Sequence, residues 1–439
     1  MTATGAYPWP TKRTALLVIH GVGQQSPFDT LDDLGRGLLD ALREGLPGAT
    51  IDLYHGLKKV PRAEGPWVTN CLSIVPNGNR DKAIDCYEYY WAHATQRQIT
   101  QQEVFDWIAT TGVLARKYYD DNAALVATYE KEGLANTPFG RRYRFGGKAR
   151  FDKYWYFKQI GGGMWLARAF WWLVGIVSGL RIPIPNLGIL TAIRSALQSL
   201  AKLLERPMVD SVGDVAIYTA TDMKSKNFDV RKKILDGATE TLEWLMQLSE
   251  YDQVIVLGHS LGSVIAYDAV NRINNRVNAG LVPKQSAAKL RGLVTFGSPL
   301  DKIAYFFRSR VDESKYIKRQ ILDQHIGFRC KEWDLVSRGK ASSGQKAPVV
   351  HSEVKDFFGD VVWINFWHPK DPIAGMLDFY ELSKDRKTFE EKRAADLLAP
   401  EAKGYNEMMR EQAEWGGPAH GSYWRSRKMY SAIFQDIMT

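Results

Sequence analysis

The chain has 439 residues, of which 45% are hydrophobic and 24% charged, so it can bury a sizeable core and does not have the composition of a disordered protein. Its net charge of +9 favours acidic partners, either anionic lipid or nucleic acid. The cysteines Cys71, Cys86 and Cys330 are odd in number and lack CxxC spacing, which argues against a disulfide framework and a zinc site. The polar N-terminal residues lack the pattern of a signal peptide, and we therefore expect a cytoplasmic protein.

The first elements along the chain are predicted to be a strand, a glycine-rich loop and a helix. Ala15 to Ile19 is a short buried strand, and Thr30 with Asp33 resembles a capping box at the start of the helix. Apolar residues follow at helical spacing: Leu31, Leu34, Leu38 and Leu42. Further strands are predicted over Ile84 to Trp91 and over Val215 to Tyr218.

The later elements continue the alternation of strands and helices. Helices are predicted over Val230 to Leu248 and from about Leu261 to Ile273, with a strand over Val254 to Leu257 before the second helix. Leu293 to Phe296 and Val361 to Phe366 have the content of buried strands. This alternation predicts an α/β fold, with a mostly parallel sheet covered by helices on both faces.

Ser260 lies in Gly258-His259-Ser260-Leu261-Gly262, between a predicted strand and a predicted helix. That context is required for the G-x-S-x-G nucleophile elbow, a strained turn that tolerates only small residues two positions either side of the serine. The alternative is an ordinary turn in which Ser260 caps a helix.

A nucleophilic serine needs a base, a carboxylate to orient the base, and donors for an oxyanion. The loop after the first strand can supply a backbone N–H to complement that of Leu261, and we expect this donor to be Val22, with Gly23 as the second choice. His20 is expected to hold that loop in shape rather than to transfer protons.

Five segments together resemble the α/β-hydrolase superfamily and, within it, lipase-like serine esterases. They are VIHGVG, VLGHSLGS, TFGSPL, NFWHPKDPIA and GPAHGSYW, and with their surroundings they cover about half of the chain. The resemblance implies the order nucleophile, acid, histidine along the chain, with the acid after the second strand beyond the nucleophile.

Counting strands in this pattern selects Asp371 as the acid, with Asp301, after the preceding strand, as the alternative. A purely structural interpretation is that Asp371 N-caps a helix beginning at Pro372. His420, in a late glycine-rich loop, is the candidate general base. The family pattern is incomplete in one respect, because Glu390 to Gln412 is predicted to be helical and no eighth strand precedes His420.

His368 is expected at the surface. The alternative is a metal site formed by His368 and Asp371, with or without His420, but two ligands at that spacing in a loop do not define a site and a nucleophilic serine needs no metal. We therefore expect neither a metal nor a cofactor.

Residues 141–180 combine two features that suggest a membrane surface. Basic and aromatic residues alternate between Arg141 and Lys158, and Met164 to Leu180 is apolar with several tryptophans but too short to span a bilayer comfortably. We expect an interfacial helix that contacts anionic lipid, so that the protein is peripherally associated with a membrane. The alternative is a cap helix buried over the active site; nucleic-acid binding is not expected.

The sequence thus predicts an α/β-hydrolase fold with a large, partly apolar helical cap, hydrolysing apolar or lipid esters through Ser260. The alternatives are a thioesterase or acyltransferase with the same triad, and a catalytically silent membrane scaffold; the oligomeric state is not indicated. The hydrolase core is expected in three parts: 1–94 with the oxyanion loop, 211–298 with the nucleophile elbow, and 361–439 with the acid and histidine loops. Two insertions are expected to interrupt it: a helical cap or membrane-interacting segment at 95–210, and a second insertion at 299–360.

Overall fold

The computed structural model describes residues 12–22, 26–62, 67–95, 227–300, 353–371, 373–377, 380–396, 403–410 and 417–438, with a few isolated positions between them. Its strands are β1 Thr14–Ile19, β2 Ile51–Val60, β3 Trp67–Pro76, β4 Ile84–Tyr89, β5 Gln253–His259, β6 Leu290–Phe296, β7 Val362–Trp367 and β8 Gly404–Met408. Its helices are α1 Asp29–Gly45, α2 Ala92–Thr95, α3 Phe228–Gln247, α4 Leu261–Asn278, α5 Lys284–Ala287, α6 Arg386–Ala395, α7 Gly417–Gly421 and α8 Arg427–Ala432. Single turns of 3₁₀ helix lie at Arg80–Lys82 and Ser422–Arg425, and a π-helical turn at Ile433–Ile437 ends the described chain.

The strands form one mixed sheet in the order β2-β3-β4-β1-β5-β6-β7-β8. The six strands from β4 to β8 in this order are parallel, whereas β2 and β3 form an antiparallel ribbon at one edge. β1 lies between β4 and β5, so that Ile19 pairs with Tyr89 on one side and with Gly258 on the other. After β1 the chain adds β2, β3 and β4 on one side of this strand, and then crosses to add β5 to β8 on the other side. In open α/β sheets, ligands bind beyond the carboxyl ends of the strands at the point where the strand order reverses in this way.

Helices cover both faces of the sheet because the buried strands are apolar on both sides. In β1, Ala15, Leu17 and Ile19 pack into the layer that contains α3 and α4. Leu16 and Val18 point the other way, into the layer that contains α1 and α8. Successive side chains of a strand alternate between faces, so a continuous apolar run is the pattern expected of a strand covered twice.

The structure confirms most of the predicted elements and extends them. β1, β4, β5, β6 and β7 match the predicted strands, while α1, α3 and α4 match the predicted helices to within a few residues. The α/β class and the mostly parallel sheet are therefore confirmed.

Two element predictions are wrong. Val215, Ile217 and Tyr218 are helical rather than extended, which reflects the ambiguity of a short apolar run between helix and strand. An eighth strand does precede His420: α6 ends at Ala395, and β8 pairs in parallel with β7. The sequence pattern did not predict this strand because GYNEM is short and carries polar residues, although four of its five positions are buried.

The capping-box prediction for α1 is also wrong. Phe28, in the left-handed region at φ 76°, stands at the cap position, and no side-chain capping bond is made there. Glu88 of β4 serves instead: its Oε2 accepts the Phe28 N–H at 2.7 Å, and it also receives hydrogen bonds from Thr30. The N-terminal donors of α1 are thus satisfied by a carboxylate from a neighbouring strand, which short-range sequence patterns do not reveal.

Candidate active site

The carboxyl ends of the parallel strands place the polar segments of the chain at one edge of the sheet. His20 follows β1, Ser260 follows β5, Gly297 follows β6, and Asp371 lies four residues beyond β7. Neighbouring strands are about 5 Å apart, so these segments are brought together although they are separated by up to 350 residues in the chain. The arrangement follows from the parallel topology.

Ser260 occupies a strained turn between β5 and α4. Its backbone has φ 52° and ψ −126°, a conformation that costs a non-glycine residue on the order of 1–3 kcal/mol and must be held by its surroundings. The Ser260 N–H donates to the Phe296 carbonyl at 3.0 Å, and the residue is only 3% exposed. Ser260 stands at the N-cap position of α4, but its side chain makes no capping hydrogen bond there, so side-chain capping does not account for this residue.

The glycines on either side of the turn are required by close backbone contacts. A Cβ at Gly258 would lie 2.4 Å from the Cα of Ser263, and one at Gly262 would lie 2.2 Å from the carbonyl oxygen of Ile19. Neither contact is with a flexible side chain. The steric argument made for the pentapeptide is therefore confirmed.

Asp371 and His420 form a hydrogen-bonded pair across the edge of the sheet. His420 Nδ1 lies 2.9 Å from Asp371 Oδ2. Since the carboxylate can only accept, Nδ1 carries the proton and Nε2 is the basic nitrogen of the neutral ring. The Asp371 side chain is fully buried, whereas that of His420 is 20% exposed, so the imidazole remains accessible.

Four donors surround the Asp371 carboxylate. Tyr423 Oη donates to Oδ2 at 2.8 Å, and the N–H groups of Ile373 and Ala374 donate to Oδ1 at 2.8 and 3.3 Å. Burial alone would raise the pKa of Asp371, but the bonds from His420, Tyr423 and Ile373 outweigh it and lower the pKa to about 2. The backbone contacts resemble those of a helix cap, yet the described residues 373–377 are not helical, so the capping interpretation of Asp371 fails.

His259 connects the serine turn to the histidine loop. Its Nε2 donates to the His420 carbonyl oxygen at 2.9 Å, and the two rings lie 4.8 Å apart. Burial and the neighbouring imidazole of His420 lower the pKa of His259 to about 3, which keeps its ring neutral. A Cβ at Gly297 would lie 3.1 Å from the His420 ring, so the imidazole packs directly over the residue that follows β6.

His259, the residue before Ser260, is bonded to the His420 backbone, and no hydrogen bond joins the Ser260 and His420 side chains within the described part of the chain. In serine hydrolases without substrate this bond is often long and tightens in the complex. The structure therefore bonds two of the three predicted partners, Asp371 and His420, to each other, and connects the turn of the third to the histidine loop through the His259 side chain.

The loop after β1 lies against Ser260. A Cβ at Gly21 would be 2.8 Å from the Ser260 Cβ, and Val22 is half-buried beside the core. Leu261 is the first residue of α4, where backbone N–H groups have no acceptor within the helix. The loop thus reaches the N-terminal end of α4, as two backbone donors for one oxyanion would require. Two other predicted site residues, Gly23 and Asp301, lie outside the described residues.

His20 has a structural position, as expected. Its Nδ1 donates to the Gly21 carbonyl at 2.7 Å, and its Nε2 accepts the N–H groups of Trp91 and Ala92 at 3.0 and 3.3 Å. Burial lowers the pKa of His20 to about 4. Both ring nitrogens are occupied, and the neutral ring fixes the loop after β1 to the end of β4.

The prediction that His368 lies at the surface is wrong, because this residue is only 3% exposed. Its Nδ1 accepts the Lys370 N–H at 3.0 Å, and its own N–H donates to Tyr423 Oη at 2.9 Å. The ring thereby shapes the turn that carries Asp371. Within the described ranges, no group of three His, Cys, Asp or Glu side chains is placed to bind a metal.

Sequence reasoning missed Tyr423 and a buried polar network under the Asp371 turn. Thr295 donates to Asn365 Oδ1 at 3.0 Å, Asn365 donates to Asn406 Oδ1 at 2.9 Å and to the Gly375 carbonyl at 3.1 Å, and Leu377 N–H donates to Asn406. These bonds run across β6, β7 and β8 into the turn. The sequence feature that could have indicated this network is the polar residue within each of these strands, since buried amides are almost always hydrogen-bonded.

The insertion predicted at 95–210, apart from Thr95 but including the stretch at 141–180, and most of the insertion predicted at 299–360 lie outside the described residues. In the ranges that are described, none of the helices combines the length and the apolar character needed to cross a bilayer. Comparison with protein families, with curated proteins and with solved structures finds no match to this chain.

Proposed function

We propose that the chain is an α/β-hydrolase that cleaves carboxylic esters of apolar or lipid alcohols and acids through an acyl-enzyme on Ser260. The observation that carries the proposal is the hydrogen bond between the buried Asp371 carboxylate and His420, whose loop is held by His259 to the strained strand-to-helix turn that bears Ser260. The order serine, aspartate, histidine along the chain agrees with the lipase-like esterases that the motifs resemble.

In the proposed reaction His420 Nε2 takes the proton of Ser260 Oγ as the oxygen attacks the ester carbonyl carbon. Asp371 holds the imidazole in the tautomer with Nδ1 protonated, and stabilises the imidazolium that forms. The backbone N–H groups of Leu261 and Val22 would stabilise the oxyanion. His420 then gives the proton to the leaving alcohol, which leaves the acyl group on Ser260. In the second half of the reaction His420 takes a proton from water as the water attacks the acyl carbon, and returns it to Ser260 Oγ as the acid is released.

The surroundings of the pair support this assignment of acid and base. Four hydrogen bonds hold the Asp371 carboxylate ionised far below neutral pH, so the proton taken from Ser260 remains on His420. The neutral ring of His259 fixes the backbone of the histidine loop without competing for that proton. A thioester substrate or an acyl acceptor other than water would use the same groups.

The test is hydrolysis of p-nitrophenyl esters of increasing acyl length by the wild-type protein and by Ser260→Ala. We expect the substitution to lower kcat/KM by about 10³-fold or more. Ser73→Ala, on β3, is the matched control and should retain wild-type rates. Equal rates for wild type and Ser260→Ala, or no turnover of any ester or thioester by the folded wild type, would favour a catalytically silent scaffold.

We propose further that the insertion at 95–210 caps this site and that residues 141–180 contact an anionic membrane surface. The support is the excess of positive charge and the basic, aromatic and apolar residues of that segment. Binding to phosphatidylserine vesicles should exceed binding to neutral vesicles and should weaken with salt. Equal binding to both would indicate that the segment is buried in the protein.

A further inference from the structure

A cavity lies beside the loop after β1, at the carboxyl end of β4. Its volume is about 320 Å³, near the lower end of the range for small-molecule sites. Its apolar walls are formed by Phe28, Leu31, Val60, Trp67, Tyr89 and Tyr90. The Tyr90 ring is 5.3 Å from the ring of His20, which places the cavity next to the proposed oxyanion loop.

Arg62 brings an unpaired positive charge to this apolar cavity. Its guanidinium carbon lies 5.2 Å from the ring centre of Trp67 and 5.7 Å from that of Tyr89. Nη2 donates to Thr241 Oγ1 at 3.3 Å, while the buried Nε has no hydrogen-bond partner. No carboxylate among the described residues forms an ion pair with Arg62, whereas several other partly buried arginines are paired: Arg13, Arg231, Arg272, Arg276 and Arg386.

A partly desolvated guanidinium without a counter-ion is unfavourable unless a ligand supplies the missing acceptor. The rings of Trp67 and Tyr89 hold the guanidinium by cation–π contact, and its Nε remains without an acceptor that an anion could supply. A bidentate contact with a carboxylate or phosphate is the strongest interaction that such a group can make.

The cavity lies at the same edge of the sheet as Ser260. Tyr89, in its wall, and Gly258, two residues before Ser260, pair with the same residue of β1, Ile19. Two strand spacings, about 10 Å, therefore separate the two strand ends. A substrate that joins an ester carbonyl at Ser260 to a group bound at Arg62, beyond the Tyr89 ring, would need an acyl chain of several carbons laid along this edge of the sheet.

We propose that this cavity is the specificity site for the remote end of the substrate, and that it binds an ester whose apolar chain ends in a carboxylate or phosphate. The inference rests on the proposed ester hydrolysis and names its substrate class. Arg62 binds the anionic end, while Trp67, Tyr89 and Tyr90 contact the chain.

The other ionisable groups of the cavity fix which end of it takes the anion. Glu88 is held at the α1 end by the N–H of Phe28, and its negative charge directs an anion away from that end. His93 stacks on the rings of Trp67 and Tyr90, and burial lowers its pKa, so it contributes no positive charge at neutral pH. Arg62 is thus the cation of this cavity.

The experiment compares two esters with the same six-carbon acyl chain, p-nitrophenyl hexanoate and mono-p-nitrophenyl adipate. In wild type we expect kcat/KM for the adipate ester to exceed that for hexanoate by about tenfold, the effect of one charge-assisted contact. Arg62→Met should remove this preference, and Arg62→Lys should retain part of it. Leu57→Ala, an exposed change on β2 outside the cavity, should preserve the wild-type ratio. A ratio near one in wild type, or a ratio that Arg62→Met leaves unchanged, overturns the inference.

Binding without turnover separates this inference from the proposed function. In Ser260→Ala, calorimetry should detect monomethyl adipate, with an affinity that Arg62→Met lowers by about tenfold. If wild type hydrolyses no ester but this Arg62-dependent binding is found, the hydrolase proposal fails and the anion site stands. If hexanoate is hydrolysed and adipate binding does not depend on Arg62, the anion site fails alone. A parallel ester ending in phosphate identifies which anion is preferred, by the larger Arg62-dependent ratio.

Discussion

Replacing Asp371 by asparagine tests how the carboxylate acts on His420. The carboxylate accepts four hydrogen bonds, two at each oxygen. An asparagine has a single oxygen, which can keep the N–H groups of Ile373 and Ala374. Its NH₂ group then faces His420 Nδ1 and Tyr423 Oη, both of which are donors to the native carboxylate.

The magnitude follows from this mismatch. His420 Nδ1 can accept from the amide only in the tautomer with Nε2 protonated, which cannot take the proton of Ser260; sites of this type lose about 10³–10⁴-fold in kcat. The Tyr423 proton loses its buried acceptor, at a cost of about 1–3 kcal/mol in the free energy of unfolding. The pKa of Asp371 is about 2 in the folded protein against an ordinary value of 3.8, so its charge stabilises the fold above pH 3.8 by about 2 kcal/mol, and this contribution is lost as pH falls toward 2.

The assay is steady-state ester hydrolysis at neutral pH together with denaturant unfolding from pH 7 to pH 2. We expect Asp371→Asn to be folded, nearly inactive, and to approach wild-type stability as pH falls below 4. Asp301→Asn is the matched control and should remain active. An Asp371→Asn rate within tenfold of wild type, with a large loss in Asp301→Asn, would refute the reasoning and move the acid to Asp301.

Three other changes test separate contacts. Gly21→Ala places a Cβ 2.8 Å from that of Ser260, so we expect at least a tenfold loss of kcat and about 1–3 kcal/mol of stability; unchanged kinetics would remove this loop from the site. Tyr423→Phe should raise the pKa of Asp371 and cost about 1 kcal/mol, measurable by acid unfolding, and an unaltered acid transition would contradict the contact. The pKa of His259 is lowered to about 3, so the neutral ring stabilises the fold above pH 6.5, and this stability is lost as pH falls from 6.5 toward 3; His259→Gln should reduce that slope by about 1.4 kcal/mol per pH unit, and an identical slope would refute it.

The sequence predicted most of the strands that carry the site, because their signals are local. A β-branched run followed by Gly258 and Gly262 required a strand, a tight turn and a helix, and the structure has all three. Counting strands along the chain was enough to select Asp371, because the parallel order of β6, β7 and β8 brings the segment after β7 to the same edge of the sheet as His420.

Contacts between distant segments were not predictable in the same way. Glu88 caps α1 from 60 residues away, and Tyr423 reaches Asp371 across 52. The ribbon of β2 and β3 was missed because β2 is largely exposed and mixes polar with apolar residues, so it lacks a buried face. The prediction that His368 is exposed was wrong because a proline-containing turn suggests a surface position. In the structure the His368 ring is bonded to the backbone of the turn that carries Asp371 and is buried there.

Labelling with a fluorophosphonate probe tests the central claim most directly, because the probe reacts only with an activated serine. The protein would be supplied with detergent to expose the site, its fold checked by circular dichroism, and the adduct located by mass spectrometry. We expect one adduct on Ser260 that is absent in Ser260→Ala and strongly reduced in Asp371→Asn. No adduct on folded wild-type protein, or an adduct that persists in Ser260→Ala, would contradict the account.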